Sequence, residues 1–320
     1  MRNLITRLLL LLLALWVGPV AAQDSFPSKP LRLIVPLPPG GPSDALARVV
    51  AQGLSAGLGQ PVVVDNKPGA DGAIALREAL VAPADGHTLL YATGSMLALP
   101  LLGKPSHFDW PTELAPVGKL GRVAFALMVH PDVPARSVAE LVAYGRAQPG
   151  RLNYATSTLG ELMVAAQFMK ASGIQMTRVP YKGSAQAMPD LLAGRVQVMF
   201  GPLNQALPAA GQGSLRVLAT LLPKRSAALP DVPTLAEAGY AEVAVPTWQS
   251  LFVPGKTPAG VTERLAHEVA RVMGRPEVQA DLERRTLFPE PPSAAQLAAT
   301  VVREQAMWAG LIAEYKLNAE

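Results

Sequence analysis

Leu31-Arg32-Leu33-Ile34-Val35-Pro36-Leu37-Pro38-Pro39-Gly40-Gly41-Pro42-Ser43-Asp44 is the stretch on which the fold turns. Leu31 to Val35 reads as a short buried strand, which Pro36 stops. The loop then feeds a segment in which Leu46, Val49, Val50, Leu54 and Leu58 make one apolar helical stripe, with Asp44 as its N-cap and Gly59 as its end. Val62-Val63-Val64 follows as a second strand. The Gly69-Ala70-Asp71-Gly72 loop then opens an alanine-rich helix ending near Pro83, and Thr88 to Ala92 is a third strand. Strand, helix and strand in alternation predict a parallel sheet covered by helices. The 36–44 loop sits at the carboxyl end of such a strand, where open α/β sheets bind ligands. Its glycines permit close backbone approach, and the helix start behind it offers N–H groups and a partial positive charge suited to a carboxylate or phosphate. A rigid strand-to-helix turn is the alternative.

The alternation resumes after Arg122. Ala124–Val129, Leu152–Ala155, Thr177–Tyr181, Val196–Phe200 and Leu215–Thr220 read as strands. Helices fall at 162–171, at 185–192 and after the capping pair Ser137 and Glu140. A third region has a strand through Trp248 and Phe252. It ends in two amphipathic helices, one marked by Leu265, Val269 and Val272, the other by Leu297, Val301, Trp308, Leu311 and Ile312. The expected architecture is α/β, with parallel-rich sheets in two lobes joined by two crossings, near 122–127 and 243–249. Lobe 1 would comprise 23–123 plus 247–320, and lobe 2 124–246.

Composition narrows the function. The 320 residues are 50% hydrophobic and 16% charged, with no cysteine and a formal charge of +4. That is enough to bury a core and too apolar for a disordered chain. Lack of cysteine excludes disulfides, thiolate metal sites, a cysteine nucleophile and a lipid anchor on cysteine. Aromatics at 5% and a small net charge argue against nucleic acid. At the N-terminus, Arg2 and Arg7 flank an apolar run from Leu8 to Val17, followed by Gly18-Pro19 and Val20-Ala21-Ala22. This reads as a signal peptide over 1–22, cleaved before Gln23, and the run is too short to span a bilayer. Cleavage removes two arginines and no acid, lowering the formal charge from +4 to +2. A periplasmic protein without membrane insertion is expected.

Three more loops follow strands: Thr93-Gly94-Ser95, Thr156-Ser157-Thr158 and Lys182-Gly183-Ser184. Each could simply cap a helix. Together they predict a polar, largely uncharged lining from both lobes. Enzyme motifs fail. His267-Glu268-Val269-Ala270-Arg271 lacks the second histidine of a zinc-protease helix, and Gly211-Gln212-Gly213-Ser214-Leu215-Arg216 lacks the third glycine of a dinucleotide loop. There is no Gly-x-Ser-x-Gly elbow and no P-loop. His87, His107, His130 and His267 are widely spaced, so no metal or cofactor is expected.

The segment from Phe26-Pro27-Ser28-Lys29-Pro30 through the Pro-Pro-Gly-Gly loop resembles the opening of the Bug family, the periplasmic substrate-binding proteins of tripartite tricarboxylate transporters. The likeness continues through Gly59-Gln60-Pro61-Val62-Val63-Val64-Asp65-Asn66-Lys67-Pro68-Gly69-Ala70, Asp85-Gly86-His87-Thr88-Leu89-Leu90 and Val179-Pro180-Tyr181-Lys182-Gly183-Ser184. It is most specific in Lys224-Arg225-Ser226, Leu229-Pro230-Asp231-Val232-Pro233-Thr234 and Glu237-Ala238-Gly239. The resemblance implies a two-lobed periplasmic binding protein of the Venus-flytrap type with two hinge crossings, a small carboxylate held in its cleft by backbone amides and ordered waters, and inner-membrane transporter subunits as partners; a monomer without catalysis is expected. Carried over by position, the ligand-binding residues are Pro38, Pro39, Gly40, Gly41 and Ser43, then Thr93, Gly94 and Ser95, then Tyr181, Lys182, Gly183 and Ser184, with Trp248 at the second crossing or packing the hinge. Two places depart from the family. Thr156-Ser157-Thr158-Leu159-Gly160-Glu161 is poorer in glycine than usual and puts an acid near the helix start. That acid would repel a carboxylate if it pointed inward, or would steady the helix from outside. Gly201-Pro202-Leu203-Asn204 replaces an expected Asp-Asn, leaving Asn204 as the polar candidate. Two other readings stay open: a ligand sensor docking on a membrane signalling protein, and a secreted α/β hydrolase.

Overall fold

A computed structural model describes residues 26–103, 108–284, 287–290 and 293–315; the expected signal peptide and His107 lie outside them. The first run comprises β1 (Leu31–Val35), α1 (Pro42–Leu58), β2 (Val62–Asn66), α2 (Ala73–Leu80) and β3 (Thr88–Thr93). A 3-10 turn (Gly94–Ala98), α3 (Trp110–Glu113) and β4 (Leu114–Val123) complete it. The second run is β5 (Phe125–Val129), α4 (Val138–Ala147), β6 (Leu152–Thr156), α5 (Leu159–Ser172), β7 (Met176–Pro180), α6 (Ser184–Leu192), β8 (Val198–Pro202), α7 (Leu203–Gly211) and β9 (Arg216–Thr220). The chain returns through β10 (Trp248–Pro254), α8 (Ala259–Met273), α9 (Pro276–Arg284), β11 (Leu287–Pro289) and α10 (Ala294–Tyr315).

These strands form two sheets, ordered β11-β4-β10-β3-β1-β2 and β7-β6-β8-β5-β9. The fold is a two-lobed α/β architecture. Each sheet is parallel through its βαβ half, as in β2-β1-β3 and β7-β6-β8. Each turns antiparallel at the strands that cross between lobes, β4 with β10 and β5 with β8 and β9. Strand β1 shows why the sheets bury both faces: Leu31, Leu33 and Val35 join the core under α1 and α8, while Ile34 joins the one under α2 and α10.

Strand β4 escapes the sequence reading for a physical reason. Its apolar residues Leu114, Val117, Leu120 and Val123 are all buried, yet they recur every third residue. Two register shifts against β10 skip Val117 and Leu120, so bulges convert the usual period of two into three. Helix α7 also escapes, because Pro202 and Pro208 bracket its opening turns.

The crossings lie side by side. Ala124 alone separates β4 from β5, Trp248 pairs with Arg122, and the Val123 N–H donates to the Thr247 carbonyl at 3.0 Å. The pivot is thus two hydrogen-bonded strands. Across the gap, Leu159 and Met163 of α5 pack into the core beneath α2 and α10.

Candidate functional site

The 36–44 loop departs from its expected cap. Helix α1 starts at Pro42 with Gly41 as N-cap and no side-chain cap. Proline suits this first helical position because its missing N–H is one the helix would leave unpaired anyway. Asp44 is instead the third helical residue. Its carboxylate reaches back to the Gly40 N–H at 3.0 Å and takes Arg48 Nε at 2.9 Å and Asn66 Nδ2 at 3.0 Å. Burial pushes the Asp44 carboxyl up, but these donors outweigh it and hold it below the ordinary carboxylate range. Gly40 has φ of 85°, a left-handed conformation that a side chain would strain. Ser43 Oγ donates to Gln249 Oε1 at 3.2 Å, tying the loop to β10. The Gly94 carbonyl accepts from the buried indole of Trp308 on α10 at 3.0 Å.

The second lobe brings two helix starts to the same place. Helix α6 has Gly183 as N-cap and no side-chain cap. Helix α5 carries a side-chain cap: Thr158 Oγ1 accepts from the Glu161 N–H at 3.2 Å. The Glu161 carboxylate accepts from the Ser157 N–H, from Ser157 Oγ at 2.7 Å and from Ser184 Oγ at 3.0 Å. Glu161 is 1% exposed. Burial pushes its carboxyl above the ordinary glutamate range, against the hydrogen bonds from Ser157 and Ser184. So the acid steadies the helix start from within the cleft, not from outside it.

These elements line a cavity between the lobes. Of the residues expected from sequence, Pro38, Gly41 and Ser43 line it, with Thr93, Gly94, Ser95, Thr158, Gly183 and Ser184. Ser157, Tyr181 and Lys182 line an adjoining cavity beside the Gly69–Gly72 turn. Pro39 and Gly40 are exposed and line neither. Thr156 is buried behind the site, accepting from Arg178 Nε at 3.0 Å. Asn204 lies beside Gln205, which does line the main cavity. Trp248 is buried at the crossing, its indole donating to Glu304 of α10 at 2.6 Å.

The remaining wall comes from the crossing strands and was missed in the sequence. Val123, Phe125, Pro202, Pro246 and Thr247 contribute to it, and Gln249 stands in register with Thr93. The polar pair Gln249-Ser250 between Trp248 and Leu251-Phe252 was the available signal. Among the described residues lining the main cavity there is no Arg, Lys or His, and Glu161 is the one ionisable side chain. The two walls are close: a Cβ on Gly183 would meet Pro38 Cγ at 2.9 Å, and one on Gly160 would meet Ser95 Cβ at 3.7 Å. No group of three or more His, Asp or Glu able to hold a metal occurs among the described residues, and none of their helices is long and apolar enough to cross a membrane.

Residues 46–317 match the model of the tripartite tricarboxylate transporter family receptor. The chain belongs to this family. It is 34% identical to protein BugT of Bordetella pertussis over 301 residues, covering 93% of this chain and 92% of that protein. It is 32% identical to the solved structure of R. palustris Rpa4515 with adipate, with a TM-score of 0.86 over 92% of this chain and 99% of that one. MatC of Rhodopseudomonas palustris, solved with bound malate, is 27% identical with a TM-score of 0.82, covering 90% of this chain and 100% of that one.

Proposed function

We propose that this receptor is exported to the periplasm with residues 1–22 cleaved. There it captures a small organic carboxylate by closing its lobes and, as a monomer, delivers it to the inner-membrane subunits of a tripartite transporter. The observation that carries the reading is the meeting of two uncapped helix starts, α1 at Gly41 and α6 at Gly183, across one cavity whose described lining holds no cationic side chain. The free N–H groups and positive helix ends in such a place suit an anion of carboxylate size. Adipate and malate in the related structures support the same class. Capture requires no bond to be made or broken. The strands paired at Val123 and Thr247 supply the pivot, and a ligand touching both walls shifts the population towards closure. Thermal-shift titration of the purified chain against mono-, di- and tricarboxylates tests the proposal. A rise in melting temperature that follows ligand concentration is expected for at least one of them. No shift with any carboxylate overturns it.

A further inference from the structure

Resting on that reading, we infer that this receptor selects a monocarboxylate with an apolar body, because Glu161 is a built-in carboxylate that fills the place in lobe 2 where a second ligand carboxylate would be received. Three donors converge on Glu161: the Ser157 N–H, Ser157 Oγ and Ser184 Oγ. The Glu161 N–H itself is taken by Thr158 Oγ1. The start of α5 thus carries its own side-chain cap and turns a carboxyl group to the cavity, in contrast to the uncapped starts of α1 and α6.

The side chain is 1% exposed and lines the main cavity, so this is a wall of the site and not a surface cap. No Arg, Lys or His among the described residues lines the cavity to offset it. An anionic second head would meet a carboxyl group whose own donors are spent, in a place from which water is largely excluded. The rest of the wall favours hydrocarbon: Leu37, Val123, Phe125, Pro202 and Pro246 face the same space. One end of the cavity suits an anion, and the body of the ligand lies along apolar surface. The related proteins named with adipate and malate hold two-headed acids, so the difference is one of class.

The test uses isothermal titration of the full chain with three matched pairs: butyrate and succinate, hexanoate and adipate, benzoate and terephthalate. It adds 6-aminohexanoate as a cationic-headed probe. In at least one pair the monoacid should bind ten times or more tighter than its diacid. Glu161→Gln, which keeps the acceptor for Ser157 and adds a donor, should strengthen diacid binding at least tenfold relative to that of the matched monoacid. A wild-type preference for the diacid in the pairs that bind overturns the inference even if Glu161→Gln does not fold. So does tighter binding of 6-aminohexanoate than of hexanoate, which would make Glu161 a partner for a ligand cation. Either result leaves carboxylate capture standing. Binding of none of the probes, together with silence across the wider carboxylate panel, defeats both readings at once.

Discussion

Helices α1 and α5 each carry an acid at the third helical position, one in each lobe, and the two carboxylates behave oppositely. Asp44 turns back along its own loop to the Gly40 N–H and ties Arg48 and Asn66 behind the site. Glu161 turns into the cleft, where it meets hydroxyls and an N–H but no cation among the described residues. The first arrangement leaves the helix start uncapped and facing the cavity; the second gives the helix start a side-chain cap. The same position thus holds an acid turned away from the cavity in α1 and one turned towards it in α5. The lobe-1 wall also depends on ties to the distant returning segment, Ser43 to Gln249 and Gly94 to Trp308, whereas the Glu161 tie to Ser184 stays within lobe 2.

The largest effect should come from cutting the long-range support. Trp308 is fully buried and its indole holds the Gly94 carbonyl. Trp308→Ala should cost about 3–5 kcal/mol of unfolding free energy in urea titrations. Trp308→Phe isolates the hydrogen bond and should cost about 1–3 kcal/mol, since a buried carbonyl loses its donor. A loss under 0.5 kcal/mol for Trp308→Phe would mean that the loop of lobe 1 stands without α10.

Asp44→Asn should cost about 1–3 kcal/mol at neutral pH, because three donors lose a charged acceptor. Its pH dependence has a definite sign. Asp44 is held below its ordinary value of 3.8, so its contribution is fully present above that value and is lost as pH falls through the lower folded value. The gap between wild type and Asp44→Asn should therefore close in acid.

A third prediction compares the walls sterically. Gly183 has an extended backbone, φ −173°, so alanine is tolerated there in conformation. Yet a Cβ would meet Pro38 Cγ at 2.9 Å and Cδ at 3.0 Å across the cleft. Gly183→Ala should weaken binding of the tightest carboxylate about tenfold, a cost of about 1.4 kcal/mol, with unfolding free energy unchanged within about 0.5 kcal/mol. Gly41→Ala meets only the Pro38 carbonyl at 3.8 Å, so it should change affinity much less. Equal effects from both would show that wall separation does not limit closure.

The contrast between lobes was half legible in the sequence. The 36–44 loop announced itself because glycine, proline and helix start are all local signals, and its neighbours β1 and α1 follow plain periodicities. Even there the cap was misplaced from Gly41 to Asp44, because Asp44's partners Arg48 and Asn66 come from a later turn and the next strand. For Glu161, sequence could set out two orientations but not choose, since the choice is made by Ser184, twenty-three residues on. The crossing-strand wall was silent because bulges disguise β4, and because Phe125, Pro202 and Gln249 become neighbours only through antiparallel pairing.

The smallest expected effect on stability is the most discriminating between the two acids. Burial holds the Glu161 carboxyl above its ordinary value of 4.5, the reverse of Asp44. For an acid raised on folding, the stabilising contribution is fully present below the unfolded value and is lost as pH rises through the folded one. Wild type should therefore be at its best relative to Glu161→Gln in mild acid and should lose ground towards neutral pH, whereas its advantage over Asp44→Asn grows as pH rises to the ordinary value of 3.8 and stays level above it. Urea midpoints for the three proteins across pH 2 to 8 give both slopes from one set of measurements. Opposite slopes confirm that one acid is paired and the other is desolvated. Parallel slopes would mean that Ser157, Ser184 and the α5 helix end hold Glu161 as firmly ionised as Arg48 and Asn66 hold Asp44. Lobe 2 would then present a full negative charge to the ligand at neutral pH.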